Sequence, residues 1–133
     1  VNAVETLAGG DLFEFGDNGG RGDGVRLQHP LGLAFHEARG FIPCTYNHKI
    51  KVPHPSSRKV STFAGTGTPG DADGPATRAQ FHEPAGLSVA GDRLFVADTN
   101  NHAIRTIDLR TSMVATLPLA SLAPPAAWSY LRG

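Results

Sequence analysis

His48 and His102 are the first candidates for chemistry, because neutral imidazole is the commonest protein ligand for metal ions. Each follows an asparagine, in TYNH and TNNH, and the two histidines lie 54 positions apart. One zinc ion needs three or four ligands within roughly 2.0–2.3 Å. No Cys or His cluster near either histidine supplies those ligands. The sequence therefore predicts no metal site and favours a role for both histidines in a backbone turn.

The other reactive side chains fit no catalytic motif. No Gly-x-Ser-x-Gly elbow occurs, and Ser88 falls within a strand-like run. The single cysteine, Cys44, has no base or electropositive pocket indicated beside it, so we expect a small buried apolar side chain. The Gly-Thr-Gly stretch at 65–67 is not followed by Gly-Lys-Ser/Thr, so it is not a phosphate loop. The sequence predicts neither a catalytic residue nor a cofactor.

The composition limits the classes of partner. Twelve basic and twelve acidic side chains cancel, so no large field is available to hold DNA or an anionic membrane surface. No run of 18 apolar residues is present, so no membrane span is expected. The first residues, VNAVETLAGG, show no signal peptide. A single cysteine fits a reducing compartment, and we expect a cytoplasmic location.

A repeated unit positions the paired residues. The stretch that begins at Leu27 aligns without a gap to the stretch that begins at Phe81. The matched pairs include Pro30 with Pro84, Gly32 with Gly86, Asn47 with Asn101, and His48 with His102. Short strand-like runs that recur at a fixed period are typical of a β-propeller. A β-sandwich is the alternative, but it does not predict that the loops repeat.

Each unit holds four strand-like runs bounded by Gly, Pro, Asn and Asp. The runs are Gly32–His36, Gly40–Cys44, Lys49–His54 and Val60–Gly65 in the first unit, and Gly86–Ala90, Arg93–Asp98, Ala103–Leu109 and Val114–Leu119 in the second. Val4–Ala8 resembles Val60–Ala64, so we predict an extra strand there. The resulting organisation is a propeller segment at 1–119, with blades at 30–65 and 84–119, and a coil-like tail at 120–133.

The repeated residues are assigned roles in the fold. Pro30 and Pro84 would fix the chain as it enters the innermost strand, where a proline removes no needed donor. Gly32 and Gly86 would allow a close backbone approach. Asp98 would end the second strand, after which Asn47 and Asn101, with the histidines that follow, would turn the chain back. Asn tolerates positive φ, and Asp and Asn can bond to their own backbone.

The second unit resembles an NHL repeat, a family of β-propeller blades. The resemblance rests on Pro84-Ala85-Gly86-Leu87, on LFVADTNNH at 94–102 and on Ile104-Arg105. It implies an all-β fold with about two four-stranded blades plus one extra strand, as part of a propeller. The sequence is most similar to that of NHL repeat-containing proteins that carry a thioredoxin-like domain before the propeller. No Cys-x-x-Cys is present here, so no redox chemistry is carried over.

The first unit departs from the second in its middle. Pro43 replaces Ala97, and Cys44 replaces Asp98. Proline in a strand removes a ladder hydrogen bond, so we predict a looser first blade with a short or interrupted second strand. A closed disc needs roughly 4–8 blades. Two blades would leave apolar faces open, and through these faces the chain could associate with itself.

Three functions remain open at this stage. The first is a non-catalytic scaffold that binds another protein through loops on a rigid disc. The second is an enzyme of the lyase or hydrolase type with a metal in the central channel, as the resemblance to other propellers of this kind implies. The strand starts, however, hold Leu31, Gly32, Ala85 and Gly86, which are not metal ligands. The third is RNA binding through a small basic cluster at Lys49, Lys51, Arg58 and Lys59. The neutral net charge weighs against the third.

Overall fold

The computed structural model of the chain describes residues 3–10 and 14–118. Its strands form two antiparallel five-stranded sheets, which confirms the all-β class. No helix in these residues is long and apolar enough to cross a membrane.

The first sheet, here called the first blade, has the spatial order β1-β5-β4-β3-β2. Its strands are β1 (Gly20–Arg21), β2 (Ala34–His36), β3 (Arg39–Cys44), β4 (Lys49–His54) and β5 (Lys59–Ala64). The second sheet, here called the second blade, has the order β6-β10-β9-β8-β7. Its strands are β6 (Gly74–Pro75), β7 (Pro84–Ala90), β8 (Arg93–Asp98), β9 (Ala103–Asp108) and β10 (Met113–Thr116).

The 54-residue period also holds for the pairing register. Gly20 pairs with Val60 in the first blade, and Gly74 pairs with Val114 in the second. The four longer strands of each blade confirm the runs expected from the sequence. The two-residue outer strands β1 and β6 were not expected, because two residues are too short to show an alternating pattern.

The predicted strand at Val4–Ala8 is wrong. Residues 3–10 contain no strand. The Arg58 guanidinium donates hydrogen bonds to the carbonyl oxygens of Thr6 and Leu7, and Gly9 N donates to Gly22 O at 3.2 Å. A strand needs a neighbouring strand for its backbone groups, and here a side chain and a loop carbonyl take that place. The coil-like tail expected at 120–133 lies outside the described residues.

One continuous apolar core joins the two blades. It includes Phe41 and Ile50 from the first blade, Leu94 and Ile107 from the second, and Phe81 from the segment between them. Full burial of such a side chain contributes about 1.5–3 kcal/mol. Strand β7 packs against β2 and β3. The two sheets therefore stack face to face, as neighbouring blades of a propeller do.

Pro43 does not shorten the second strand of the first blade, so the predicted short strand is wrong. The ladder of that strand is nevertheless interrupted, because β3 pairs with β4 over Ile42–Cys44 only, whereas β8 pairs with β9 over all six residues. Strands β3 and β8 both have six residues, and Pro43 pairs with Ile50 on β4. A further interruption lies on the other side of β3, toward the innermost strand. The innermost strand β2 has only three residues, whereas its equivalent β7 has seven.

The missing N–H of Pro43 accounts for that difference. In the second blade Gly86 pairs with Ala97, but the equivalent Gly32 and Pro43 do not pair. In an antiparallel strand, alternate residues direct their backbone groups to the same neighbour. Thr45 N, two positions after Pro43, donates to His29 O at 3.2 Å, on the side of β2. Pro43, which has no N–H to donate, therefore faces β2, the innermost strand.

Replacing Pro43 with Ala is expected to extend β2 toward Gly32. The new N–H adds one hydrogen bond, worth about 0.5–1.5 kcal/mol. The unfolded chain gains freedom worth about 0.4–1 kcal/mol, so the net stability should change little. Amide exchange is the informative measurement, because protection at Gly32 and Leu33 should rise toward that of Gly86 and Leu87. Unchanged protection would show that the proline is not the cause of the short strand.

The close approach expected at Gly32 and Gly86 concerns the axis of a whole propeller, which two blades do not form, so it stays a prediction. A Cβ at Gly32 would lie 3.4 Å from Ala85 O, and a Cβ at Gly86 would lie 3.5 Å from Ala97 Cβ. Both are ordinary van der Waals distances, and neither glycine has a positive φ. Gly65 is different, because its φ is +100° and a Cβ there would lie 2.6 Å from His48 O. Glycine is needed at Gly65.

Candidate functional site

The turns after the second strands are the most regular feature of the two blades. Each is a short 3₁₀ turn, at Thr45–Asn47 and Thr99–Asn101. His48 and His102 follow in the left-handed region, with φ of 55° and 51°. Their backbone N–H groups donate back to Thr45 O at 3.2 Å and Thr99 O at 3.1 Å. The residue with positive φ is therefore the histidine rather than the expected asparagine, and His is one of the types enriched there.

The asparagines anchor each turn to the loop that precedes its blade. Asn47 Nδ2 donates to Gly16 O at 2.8 Å, and Asn101 Nδ2 donates to Gly70 O at 2.8 Å. The two asparagine donors lie 54 positions apart, and so do the two glycine acceptors. Because the same hydrogen bond is found in both blades, we assign the Asn47 and Asn101 side chains to stabilising the fold rather than to binding a ligand.

Asp98 lies at the centre of a buried network in the second blade. Its side chain has no exposed area. Oδ2 accepts hydrogen bonds from Arg105 Nη1 at 2.8 Å and from Asn101 Nδ2 at 2.7 Å. Oδ1 accepts one from His82 N at 2.8 Å. The carboxylate thus joins β8, β9 and the segment that leads into β7.

Arg105 completes this network, a role that its place in the repeat motif does not by itself reveal. Its Nη2 donates to Ala72 O at 2.9 Å and to Asp73 Oδ1 at 2.7 Å. The guanidinium also lies 5.1 Å from the centre of the Phe81 ring, in a cation–π contact. Burial alone would raise the pKa of Asp73, but hydrogen bonds from Arg105 and Thr116 outweigh it and lower the pKa. Arg105 is a fully buried, paired charge.

The first blade replaces both members of the Asp98–Arg105 pair. Cys44 and Lys51 occupy the equivalent positions. The Lys51 side chain is only 1% exposed, and its Nζ lies 2.6 Å from Asp17 Oδ1. Lys49 Nζ lies 2.6 Å from the other oxygen, Oδ2. Burial alone would raise the pKa of Asp17, but the hydrogen bonds from the two ammonium groups hold it below its usual value.

The four residues of the expected basic cluster do not form a free cationic face. Lys49 and Lys51 both pair with Asp17. The Arg58 guanidinium donates to backbone carbonyls of residues 6 and 7. Lys59 is exposed at the start of β5. The single Asp17 carboxylate therefore offsets one of the two lysine charges, and Lys51 is held inside the blade.

Cys44 is buried and takes part in no disulfide. Burial raises the pKa of its thiol to about 11. A thiol with that pKa is protonated at neutral pH and is a poor nucleophile. Within residues 3–10 and 14–118, no group of three or more His, Cys, Asp or Glu side chains could hold a metal ion.

The turn of the first blade also bonds the two blades together. Thr45 Oγ1 donates to Pro84 O at 2.9 Å, and Glu83 N donates to His48 Nδ1 at 3.1 Å. The His48 ring packs edge-on against His82, with ring centroids 5.4 Å apart. Burial lowers the pKa of His48, and the neighbouring His82 lowers it further. Glu83 and Asp98 act in the opposite direction without reversing the shift.

Stability is expected to fall as the pH drops below 6.5, the ordinary pKa of histidine. Protonation of Nδ1 removes the acceptor for Glu83 N, and the unfolded chain takes up that proton more readily than the folded one. The contribution is fully present above pH 6.5 and is lost as the pH falls through the lowered pKa. Urea unfolding at a series of pH values measures it.

His48→Asn is the variant that tests this dependence. Asn tolerates the left-handed conformation and offers an amide oxygen, but it does not titrate. The pH dependence just below 6.5 should be weaker in His48→Asn and should persist in His102→Asn, where His48 is intact. An equal weakening in both variants would contradict the assignment to His48.

Comparison with known proteins connects this geometry to a family. The NHL repeat family matches residues 81–107, a stretch that includes β8, its turn and most of β9. This match places an NHL repeat in the second blade. The resemblance inferred from the sequence is confirmed, and the buried Asp98–Arg105 pair lies within the matched repeat.

Two relatives extend the similarity to both blades. The chain is 49% identical over 130 residues to Protein SUPPRESSOR OF QUENCHING 1, chloroplastic, of Arabidopsis thaliana, covering 90% of this chain and 12% of that protein. It is 43% identical over 127 residues to NHL repeat-containing protein 2 of Homo sapiens, covering 88% of this chain and 18% of that protein. The chain therefore spans less than a fifth of the length of either relative.

Solved structures support the β-propeller fold. An auxiliary nutrient binding protein from Bacteroides ovatus aligns with a TM-score of 0.67 at 23% identity, covering 84% of this chain and 28% of that chain. A similarly named protein from Bacteroides thetaiotaomicron aligns with a TM-score of 0.53 at 20% identity, covering 63% and 24%. At this identity the likeness concerns the fold alone. The two sheets of the chain are thus two blades of a β-propeller.

Proposed function

We propose that this chain is a non-catalytic part of an NHL-repeat propeller and that it binds another protein. The observation that carries the proposal is that the buried charged side chains form ion pairs within the fold. Asp98 pairs with Arg105 and Asp17 pairs with Lys51, and every one of these side chains except Asp17 is at most 1% exposed. These ion pairs stabilise the fold, so the exposed turns are the surface that remains available to a partner.

The turn of the first blade presents the aromatic group best suited to such contact. Tyr46 is 47% exposed, and its ring lies 4.2 Å from the ring of His29, with a tilt of 50°. Tyrosine is enriched among residues that dominate binding energy, because it offers a large surface with few rotatable bonds. The 3₁₀ turn and the Asn47 anchor hold Tyr46 in place. We assign the protein-binding surface to this turn.

Affinity capture from the source cells, followed by calorimetry with the purified candidate, tests the proposal. Tyr46→Ala should weaken binding of that candidate by at least about tenfold, as expected for a central aromatic contact. Met113→Ala is the matched control, because Met113 is similarly exposed but lies on the outermost long strand β10. Equal binding by wild type and Tyr46→Ala would reject this surface, and turnover of a substrate by the pure chain would reject the non-catalytic assignment.

A cytoplasmic location is part of the proposal, and the buried, unpaired Cys44 supports a reducing compartment. The Arabidopsis relative carries the word chloroplastic in its name, which makes a plastid the competing location. A fluorescent fusion to the complete reading frame, expressed in the source organism, separates the two compartments.

A further inference from the structure

A row of basic side chains crosses the first blade at the end away from the turn that carries Tyr46. On the outer strands, Arg21 of β1 pairs in register with Lys59 of β5, and Lys59 pairs with His54 of β4. Arg39 begins β3, and the register of β3 with β4, continued to that residue, places it opposite His54. These four residues, here called the basic row, share only Lys59 with the cluster expected from the sequence.

The basic row lies on the side of the first blade that faces the second blade. Side chains two positions apart on a strand point to the same side, so Arg39 shares its side with Phe41, and His54 shares its side with Val52. Phe41 and Val52 belong to the core that joins the blades. The row forms the margin of that side, where three of its four residues are exposed. A blade packed on the opposite side of the first blade would leave the row uncovered.

The second blade carries no such row. The equivalent positions, 54 residues further along the chain, hold Arg93, Asp108, Met113 and Pro75. Arg93 pairs in register with Asp108, so opposite charges face each other there. In the first blade, two like charges face each other at Lys59 and Arg21. Like charges directly opposite each other on a sheet are destabilising, so the fold alone does not favour the basic row.

The cations of the row are not neutralised by acidic side chains. In the part of the chain that the structure describes, Arg21, Arg39 and Lys59 form no ion pair. Arg39 is instead held by cation–π contacts, 5.2 Å from the centre of the Phe41 ring and 5.1 Å from that of Phe63. Such stacking uses the face of the guanidinium and leaves its N–H groups for other acceptors. The positive charges of the row therefore remain available to an anionic ligand.

We infer that the basic row binds an acidic segment of a protein partner. The inference rests on the proposed protein-binding function and adds a second contact surface, which the six-residue strand β3 separates from the Tyr46 turn. The row crosses four adjacent strands, so it is about 14 Å long at a strand spacing of about 4.8 Å. An extended segment of about four or five residues covers that length, and its alternate side chains point to one side. Two or three carboxylates of such a segment would face the row.

The chemistry of this side of the blade favours carboxylates over nucleic acid. Single-stranded nucleic acid binds along a positively charged groove in which its bases stack on aromatic side chains. Among the described residues, the exposed aromatic rings are those of Phe15, Phe35 and Tyr46, and none of them lies on the four strands of the row. The chain as a whole is neutral, so it lacks the broad positive field that holds a phosphate backbone. A short acidic segment needs neither feature.

Fluorescence anisotropy at low salt tests the inference with a labelled peptide that alternates glutamate and serine. The wild-type chain should bind this peptide more tightly than a matched glutamine–serine peptide or a labelled poly-uridine RNA. Low salt is needed because exposed charge pairs are screened by ions. The double variant Arg21→Gln, Lys59→Gln should weaken binding of the glutamate peptide by at least about tenfold. The matched control is Arg93→Gln, which removes an exposed cation from the equivalent row of the second blade and should bind as wild type does.

Two further variants separate a binding role from a structural one. Lys59→Met introduces the residue type that the second blade has at this position. It should weaken peptide binding while the urea midpoint rises, because one of two facing like charges is removed. Reversing both charges in Arg21→Glu, Lys59→Glu should transfer binding to a lysine–serine peptide. Circular dichroism confirms that each variant is folded.

The turn surface and the basic row can fail independently. Tyr46→Ala should leave binding of the glutamate peptide unchanged, so failure of the proposed turn surface and failure of this inference give different results. Equal binding of the glutamate and glutamine peptides by wild type, or unchanged binding by the double variant, would overturn the inference. Tighter binding of the RNA through Arg21 and Lys59 would also overturn it, because the row would then belong to a nucleic-acid site.

Discussion

Replacing Asp98 with Ala is expected to lower the free energy of unfolding by about 3–5 kcal/mol, the range seen when one partner of a buried ion pair is removed. The side chain has no exposed area and accepts hydrogen bonds from Arg105, Asn101 and His82 N. Alanine leaves the buried Arg105 guanidinium with Asp73 as its remaining carboxylate. It also removes the acceptor that joins β8 to the segment before β7.

Urea unfolding, followed by circular dichroism, measures this loss. Asp92→Ala is the matched control, because Asp92 forms only surface ion pairs with His36 and Arg110 and is 51% exposed. Its replacement should cost no more than about 1 kcal/mol. If Asp98→Ala is as mild as Asp92→Ala, the buried network does not hold the second blade together.

The second large effect is expected in the first blade, where Asp17→Ala leaves two ammonium groups without their carboxylate. Lys51 is almost completely buried, so its unpaired charge should cost about 1–3 kcal/mol. Lys51→Met should be milder than Asp17→Ala, because methionine removes the buried charge instead of stranding it. The order of the two unfolding free energies checks the assignment. A larger loss in Lys51→Met would contradict it.

The Asp17–Lys51 pair also predicts a pH dependence of stability in acid, which is an independent test. Because the pKa of Asp17 is lowered in the folded state, its contribution is present above pH 3.8 and is lost as the pH falls below that value. Part of the acid sensitivity of the wild-type chain should therefore be missing in Asp17→Ala. This window lies well below the one assigned to His48, so the two effects can be separated in one pH series.

The strands could be predicted from the sequence because their signal is repeated. Comparing two copies of one unit located β3 and β8, and β4 and β9, within one residue of their observed ends. The same comparison failed at Val4–Ala8, where a sequence similar to β5 meets no partner strand. It also placed the effect of Pro43 on the wrong side, because the sequence does not reveal which neighbour a backbone N–H faces.

The buried ion pairs could not be assigned from the sequence alone. Asp98 and Arg105 lie on two different strands, and their contact depends on the hairpin register that pairs Asp98 with Ala103. A signal was nevertheless present. The first blade changes both positions at once, to Cys44 and Lys51, and such a paired change is expected when two side chains share one buried contact. The turn histidines were recognised as turn residues, but their left-handed conformation was attributed to the asparagines.

Amide hydrogen exchange of the whole chain tests most directly the claim that two blades share one backbone frame. The claim predicts that protection repeats at positions 54 apart, with Ile42 and Cys44 as protected as Val96 and Asp98. It also predicts two breaks in that period. One lies at Gly32 and Leu33, where Pro43 supplies no donor, and the other lies at Arg39–Phe41, which lack the partners on β4 that Arg93–Phe95 have on β9. Protection that shows no 54-residue period, or a first blade that exchanges freely while the second is protected, would contradict the claim.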